Sequence, residues 1–527
     1  MSLIKALAAV GGLTFISRVA GFARDLVISH TMGAGPIADA FFVALKLPNF
    51  FRSITAEGAF SISFVPLYTE KKTKEGTIAA TDFTNAALSM MMAILLPFSI
   101  MVMWGMPIVI LILAPGFAGE GEKLALAVDM ARLSFPYLML VTLAAMLGAV
   151  LNAHQKFGPY AFAPVLFNLC LIVSVVFTPL FETQGHAMAA FMSISGALQA
   201  LWVWMFIRKM GLQIKFVRPR LTPDLRRLFR LMGPGILVAS VFQINLFTNM
   251  MIASFAGSGA ISHLYYADRL YQLPFGVIGI AVGTALLPMF AQALADKNAA
   301  ETQNLYNRSV EYMLILCLPC AFGLLIAADP IIRTIYLHGA FGGADVQATA
   351  LVLMAYALGL PAYVLTRIYN AAFYAHQDTW SPVQTSIITT AVTIPLSILL
   401  ALPFGAVGIA LSTSIMGWVL LALLYRRAKT HGLDLRVDAR LKRNFPRILF
   451  MTGLLIFILF MMRYGLEDFF RGTLPIRTLA LAGLIIASIL VYFPLLFITK
   501  IVPFSDVKRY LKRTHKGRIQ NDRTQTD

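Results

Sequence analysis

Long apolar runs recur along the whole chain, each closed by a short polar segment. A helix crossing a bilayer needs roughly 20 mostly apolar residues. On that measure the pattern predicts about fourteen spans. They fall near 5–31, 37–65, 82–113, 124–151, 159–180, 186–208, 232–256, 262–291, 308–337, 346–374, 380–403, 406–426, 446–464 and 476–500. Lys5 opens the first run and Arg18 interrupts it without a small-residue cleavage site, so it reads as an uncleaved span. Pro48 lies inside the second and predicts a kink.

Lys and Arg gather in alternate loops. They follow span two (Lys71, Lys72, Lys74), span six (Arg208 to Arg230), span twelve (Arg426 to Arg447) and span fourteen (Lys508 to Lys516). The intervening loops, near Gly33, Gly116, Phe181, Gly257, Gly339 and Phe404, are nearly free of them. The strongest exception holds Arg463, Arg471 and Arg477. The positive-inside rule predicts cytoplasmic termini, which an even span count also requires.

The chain repeats itself at a spacing near 223 residues. HTMGAG at 30–35 answers SFAGSG at 254–259, and FVP at 64–66 answers LLP at 286–288. AHQKF at 153–157 answers AHQDT at 375–379, each followed by a proline, Pro164 and Pro382. Six spans per copy is an even number, so both copies have the same orientation. The expected organisation is an N-lobe at 1–208, a linker at 209–231 and a C-lobe at 232–428. A basic loop at 429–445, two extra spans at 446–505 and a basic, disordered tail at 506–527 follow. Within the linker, LTPDLRRLFRLM has the periodicity of a short amphipathic helix.

Composition agrees. Of 527 residues 58% are hydrophobic and 13% charged, with mean hydropathy +0.76. Soluble domains run near 25% charged, so this is an all-α polytopic membrane protein. The net charge of +18 belongs to the cytoplasmic loops, and no nucleic-acid recognition module accompanies it. Cys170, Cys317 and Cys320 lie inside apolar runs, and an odd count argues against a disulfide framework.

Against that background the stretch 17–66 stands out. It carries Arg18, Arg24, Asp25, Asp39, Lys46, Arg52 and Glu57 within two apolar segments. An ionised side chain at membrane depth costs roughly 2.5–3.5 kcal/mol on insertion scales, so these residues must face a protein interior or a wet cavity. Arg18 and Asp25 are seven apart and share a helix face, as do Asp39 and Lys46. Gly21 leaves room between the turns. YYADRL in span eight adds Asp268 and Arg269. Arg18, Arg24, Arg52 and Arg269 are the candidate substrate-binding groups, because guanidinium binds phosphate bidentately and stays charged. Asp25, Asp39, Glu57 and Asp268 read equally as their structural partners. Lys46, Arg132 and Arg367 are secondary candidates for the cavity or for ion pairs. No catalytic constellation, Walker motif or metal-ligand cluster appears; His154 and His376 sit at span ends. No cofactor is expected.

SRVAGFARD, ADAFFVALKLPNFFRSITAEGAF with FVP, and YYADRL together resemble the MurJ/MviN family of bacterial lipid II flippases. That family belongs to the multidrug/oligosaccharidyl-lipid/polysaccharide exporter superfamily. The resemblance covers essentially the whole chain. It implies two six-helix lobes around a central cationic cavity that opens alternately to each side. It implies a groove in the last two spans for an undecaprenyl tail. The cavity arginines, matching Arg18, Arg24, Arg52 and Arg269, would engage the lipid diphosphate. Some members hold sodium through acids in spans seven and eleven. Spans 232–256 and 380–403 here contain no Asp or Glu, which points to membrane potential or protons.

The expected function is a transporter without covalent chemistry, a lipid II flippase of the bacterial cytoplasmic membrane. It would work as a monomer among membrane lipids, in association with the cell-wall synthesis machinery. Competing readings are an exporter of another polyprenyl-linked oligosaccharide and a multidrug antiporter; the latter would want an acidic cavity. A glycan polymerase would need a catalytic carboxylate in a large extracytoplasmic loop, and each such loop is short.

Overall fold

A computed structural model of the protein describes residues 3–53, 60–296, 298–431, 435–499 and 501. It is helical throughout, with no strand among the described residues. The first half runs α1 Leu3–Met32, α2 Pro36–Arg52, α3 Ser61–Trp104, α4 Met106–Leu113, α5 Gly121–Ser134, α6 Pro136–Ala153, α7 Gly158–Val173 and α8 Gln184–Arg208. The second runs α9 Pro223–Ala253, α10 Ala260–Ala295, α11 Ala299–Ile326, α12 Ala328–Tyr336, α13 Gly343–Ala357, α14 Leu360–Ala375 and α15 Trp380–Thr430. α16 Ala439–Gly465, the short α17 Glu467–Arg471 and α18 Leu474–Ile498 close the chain.

Among the described residues, nine helices are long and apolar enough to cross a membrane. One of them, α15, covers two expected spans, because Gly405 at φ 55° breaks it in the middle. Four more expected spans correspond to α1, α2, α9 and α10, which carry most of the charged candidates. The count of about fourteen therefore holds.

Within the second span α2 ends at Arg52, with Pro48 inside it, and α3 begins at Ser61; residues 54–59 lie outside the described residues. One boundary differs from expectation. The amphipathic segment of the linker is the first three turns of α9 and not a separate helix. Thr222 caps it, accepting from the Leu225 N–H at 3.3 Å, and Pro223 fills the first position, where its missing N–H costs nothing. Before it, the linker lies along α3, where Asn85 and Ser89 accept from the Lys215 and Val217 N–H groups. The tail at 506–527 lies outside the described residues.

The AHQ repeat has a structural cause. α6 and α14 end the same way: the N–H of Gln155 bonds the Asn152 carbonyl and that of Lys156 bonds Leu151, each at 2.9 Å. Gln377 bonds Tyr374 and Asp378 bonds Phe373, each at 3.0 Å. This is a Schellman ending, which places its C′ residue in the left-handed region. Gln155 and Gln377 occupy it at φ 57° and 61°.

The chain forms two compact units. The first holds Met1–Tyr266, Tyr336–Asp345 and Ile394–Ile409. In it α6 packs on α8, α2 on α5 and α1 on α7. At Gly196 a Cβ would meet Leu140 Cβ at 2.9 Å, so only glycine lets α8 approach α6 this closely. The second holds Ala267–Ile335, Val346–Thr393 and Ala410–Asp527. There α11 packs on α14 and α16, and α16 on α18. Tyr492 ties α18 to α11 through the Ile315 carbonyl at 2.8 Å.

Candidate functional site

Asn168 of α7 packs beside Gly21 on α1, its amide 3.6 Å from where a Cβ would stand. The next turn of α1 bears Arg24 and Asp25. Both are buried. The Arg24 guanidinium bonds Asp25 Oδ1 at 2.6 and 3.1 Å and Asn168 Oδ1 at 3.1 Å. Its Nη2 also reaches the Tyr265 hydroxyl at 3.0 Å, and that hydroxyl donates to Asp25 Oδ1 at 3.0 Å. Phe42 stacks on Tyr265 with ring centroids 3.9 Å apart. In this buried cluster the Arg24 and Asp25 charges oppose each other.

Asp39, in the first turn of α2, does something different. It is fully buried and accepts from the Gly259 N–H at 2.8 Å, the Ser262 N–H at 2.9 Å and the Ser262 hydroxyl at 2.6 Å. Gly259 and Ser262 sit at the start of α10, so Asp39 caps that helix from another element. The opening N–H groups of a helix have no partner within it, and a carboxylate there also meets the positive end of the dipole. Lys123 Nζ of α5 lies 3.1 Å from the same carboxylate and 4.5 Å from the Phe117 ring centre.

Around this cap the loops poor in Lys and Arg interlock. The Ala340 N–H bonds the His30 carbonyl at 2.8 Å, and the Tyr266 hydroxyl bonds the Gly33 carbonyl at 2.9 Å. The Gly116 N–H bonds Ser254 Oγ at 2.9 Å. Gly33 and Gly339 both adopt φ 63°. A Cβ at Gly33 would stand 2.5 Å from the Ala340 oxygen, and one at Gly339 2.1 Å from the His30 oxygen. At Gly33 and Gly339 backbone packs directly against backbone at this end of the first unit.

The remaining candidates are spread out. Arg18 is exposed on α1; Lys46 and Arg52 are half-buried, and Arg52 Nε donates to Asn49 at 3.1 Å. Asp268 and Arg269 are half-buried, with Gln272 donating to Asp268. Arg132 is exposed, bonds the Met103 carbonyl at 3.2 Å and lies 3.8 Å from Asp129, the pattern of a surface residue. Arg367 is exposed and lies over the Phe275 ring at 5.1 Å. Glu57 lies outside the described residues.

Sequence reasoning missed Lys123, Asn168, Tyr265 and Ser262, whose roles depend on which helices meet. It also missed Glu311 on α11, for which the signal was present, an acid inside an apolar span. Glu311 is fully buried, pairs with Arg308 and with Arg440 at 3.4 Å, and accepts from Asn444 at 2.6 Å. Arg308 also pairs with Asp438. This network pins α16 to α11.

An all-helical fold rich in long apolar helices, with ionised groups buried inside it, is that of a multi-pass membrane protein. A multidrug resistance MATE family transporter of the MOP superfamily, solved in an inward-facing conformation, shares the fold. Its TM-score is 0.64 at 15% identity, over 81% of this chain and 98% of that one, a likeness of fold alone. More specifically, the chain belongs to the lipid II flippase MurJ family, whose model matches residues 28–480. A probable lipid II flippase MurJ of Rhizobium meliloti is 38% identical over 97% of each chain. One of Rickettsia prowazekii is 33% identical over 96% of this chain and 99% of its own length. A structure described as lipid II flippase MurJ in an inward closed conformation matches with TM-score 0.77 and 27% identity, over 93% of this chain and 98% of that one. The resemblance carried by SRVAGFARD and YYADRL was thus a true guide to the family.

Proposed function

We propose that the protein moves lipid II, an undecaprenyl-diphosphate-linked disaccharide-pentapeptide, from the inner to the outer leaflet of the cytoplasmic membrane by alternating access. The substrate's diphosphate carries roughly two negative charges and must cross a core about 30 Å thick. Burying such a charge unescorted is prohibitive. The observation that carries the reading is Arg24, a guanidinium held at membrane depth by short polar side chains that a phosphate oxygen could replace. Arg18, Arg52 and Arg269 would complete the escort. Lys46, Asp268 and Arg367 would tune the cavity around it. The surplus of cations speaks against a carrier of cationic drugs.

The interlocked loops would be the extracytoplasmic gate, with both termini in the cytoplasm. The lobes would follow the repeat, 1–208 and 232–428, with 446–505 accommodating the lipid tail. Transport would draw on membrane potential or protons. Depleting the protein in cells and measuring which leaflet accumulates lipid II tests the central claim. Accumulation on the inner leaflet is expected; unchanged distribution overturns it. Collapsing the potential in the same cells should reproduce the block.

A further inference from the structure

In the second unit, α12, the end of α16 and α17 line a half-open cleft of about 420 Å³. That lies within the roughly 300–1,000 Å³ of small-ligand sites. Arg333, Arg463 and Arg471 line it together with Asp329 and Glu467. Each acid is already engaged: Arg333 holds Asp329 through two bonds of 3.0 Å, and Arg471 holds Glu467 at 2.5 Å. Arg463 is left over. Among the described residues its bond is to a backbone oxygen, that of Ile326, at 2.8 Å. Its remaining donors have no carboxylate to meet. Arg477 stands behind the wall, bonded to the Arg333 carbonyl at 3.0 Å, and adds further positive charge. Phe460 and Tyr464 form the rim. Aromatic residues of this kind collect at headgroup depth.

The placement matters as much as the charge. These arginines sit at the helix ends opposite the basic loops, where the charge pattern departs most from the positive-inside rule. A cluster of surplus cations there calls for an anion at that surface.

We propose that this pocket binds the phosphate of a lipid headgroup in the leaflet at that end of the helices. Two lipids supply this chemistry. One is a bulk anionic phospholipid. The other is the polyprenyl diphosphate of a delivered substrate, which rests on the transport reading above. Planar guanidinium forks fit phosphate oxygens bidentately, and the aromatic rim covers the first carbons of the chain.

The test uses the full chain in phosphatidylcholine nanodiscs with a headgroup-photoreactive phosphatidylglycerol, mapping crosslinks by mass spectrometry. Crosslinks should fall within 460–471 and drop about tenfold in Arg463→Gln, the scale of losing one charge-assisted contact. Arg463→Lys should lose less, since charge remains but the fork does not. Should Arg463→Gln fail to accumulate, Arg463→Lys and Arg471→Gln decide the matter. Undecaprenyl diphosphate displacing the probe better than phosphatidylglycerol assigns the pocket to delivered substrate; equal displacement assigns it to bulk lipid. Unchanged crosslinking in the variants, or displacement by phosphatidylcholine as effective as by phosphatidylglycerol, overturns the proposal. So does displacement by pyrophosphate as effective as by either lipid, which makes the site one for soluble phosphate. Lipid II flipping is measured separately, so loss of this site and failure of the transport reading give different results.

Discussion

Asp39 takes both the backbone N–H of Ser262, at 2.9 Å, and its hydroxyl, at 2.6 Å. One carboxylate thereby joins the start of α2 to the start of α10 and neutralises Lys123 as well. Removing it would leave the buried Lys123 ammonium with Glu120 at 3.8 Å and would unpair the Gly259 and Ser262 N–H groups. Breaking one side of a buried pair costs about 3–5 kcal/mol. Asp39→Ala should therefore lower the melting temperature and folded yield sharply. Asp39→Asn, which keeps an acceptor, should do so less, and adding Lys123→Met should recover part of the loss. Equal melting of Asp39→Ala and wild type would refute the capping role.

The paired glutamines give a prediction with the opposite sign. Non-glycine residues in the left-handed region carry a strain of about 1–2 kcal/mol. Gln155 and Gln377 both bear it, and both are exposed. Gln155→Gly and Gln377→Gly should each raise thermal stability or leave it unchanged. Gln155→Val and Gln377→Val should lower it. A stabilising valine would show that the Schellman geometry is wrong.

These two cases mark what the sequence disclosed. The span count, the repeat and the family were legible because each rests on local periodicity or on a run of matched residues. AHQ was visible as a repeat, while its reason, a left-handed helix end, is a backbone conformation that glutamine does not signal. Asp39 was visible as an anomaly, a buried acid, but its partners lie more than 80 residues away on α5 and about 220 away on α10. Sequence spacing along one helix paired Asp39 with Lys46, and Arg18 with Asp25. The structure pairs Asp39 with Lys123 and Asp25 with its neighbour Arg24.

Topology is tested at a position the geometry now selects. Gly259 would be a poor labelling site: it has φ +83°, and a Cβ there would stand 2.9 Å from the Ala34 oxygen. Gly35 has an extended backbone and open space around its Cβ position. Gly35→Cys should react with an impermeant thiol reagent applied to intact, outer-membrane-permeabilised cells. Reaction only after lysis would reverse the orientation.

His154 gives a pH dependence. Burial, then Lys72 and Lys156, hold its pKa below the usual value. Tyr68 lies 2.8 Å from Nε2 and Lys72 3.2 Å from Nδ1. The unfolded chain takes a proton near pH 6.5, before the folded one does. Stability from this site is therefore present above about 6.5 and declines as pH falls below it. Melting temperature between pH 8 and 5 should fall less steeply in His154→Gln. Parallel profiles would remove His154 as a contributor.

Arg24 and Asp25 decide how far the buried charges serve transport. Arg24 has a structural partner, and that partner is shared with Tyr265. Arg24→Ala alone would take the guanidinium away from the buried Asp25 carboxylate, so folded protein should be lost along with transport. Arg24→Ala combined with Asp25→Asn removes the stranded charge and should recover accumulation and melting temperature. The two accounts separate here. Were Arg24 only a structural tie, the double variant would also recover lipid II flipping and support growth. As a phosphate ligand it cannot be replaced by neutralising its neighbour, because the substrate still needs a cation within the membrane. The expected outcome is a stable double variant that does not flip. Arg24→Lys should fold and flip weakly, keeping charge without the bidentate fork. Restored growth in the double variant would withdraw Arg24 from the substrate path and leave Arg18, Arg52 and Arg269 to carry the diphosphate.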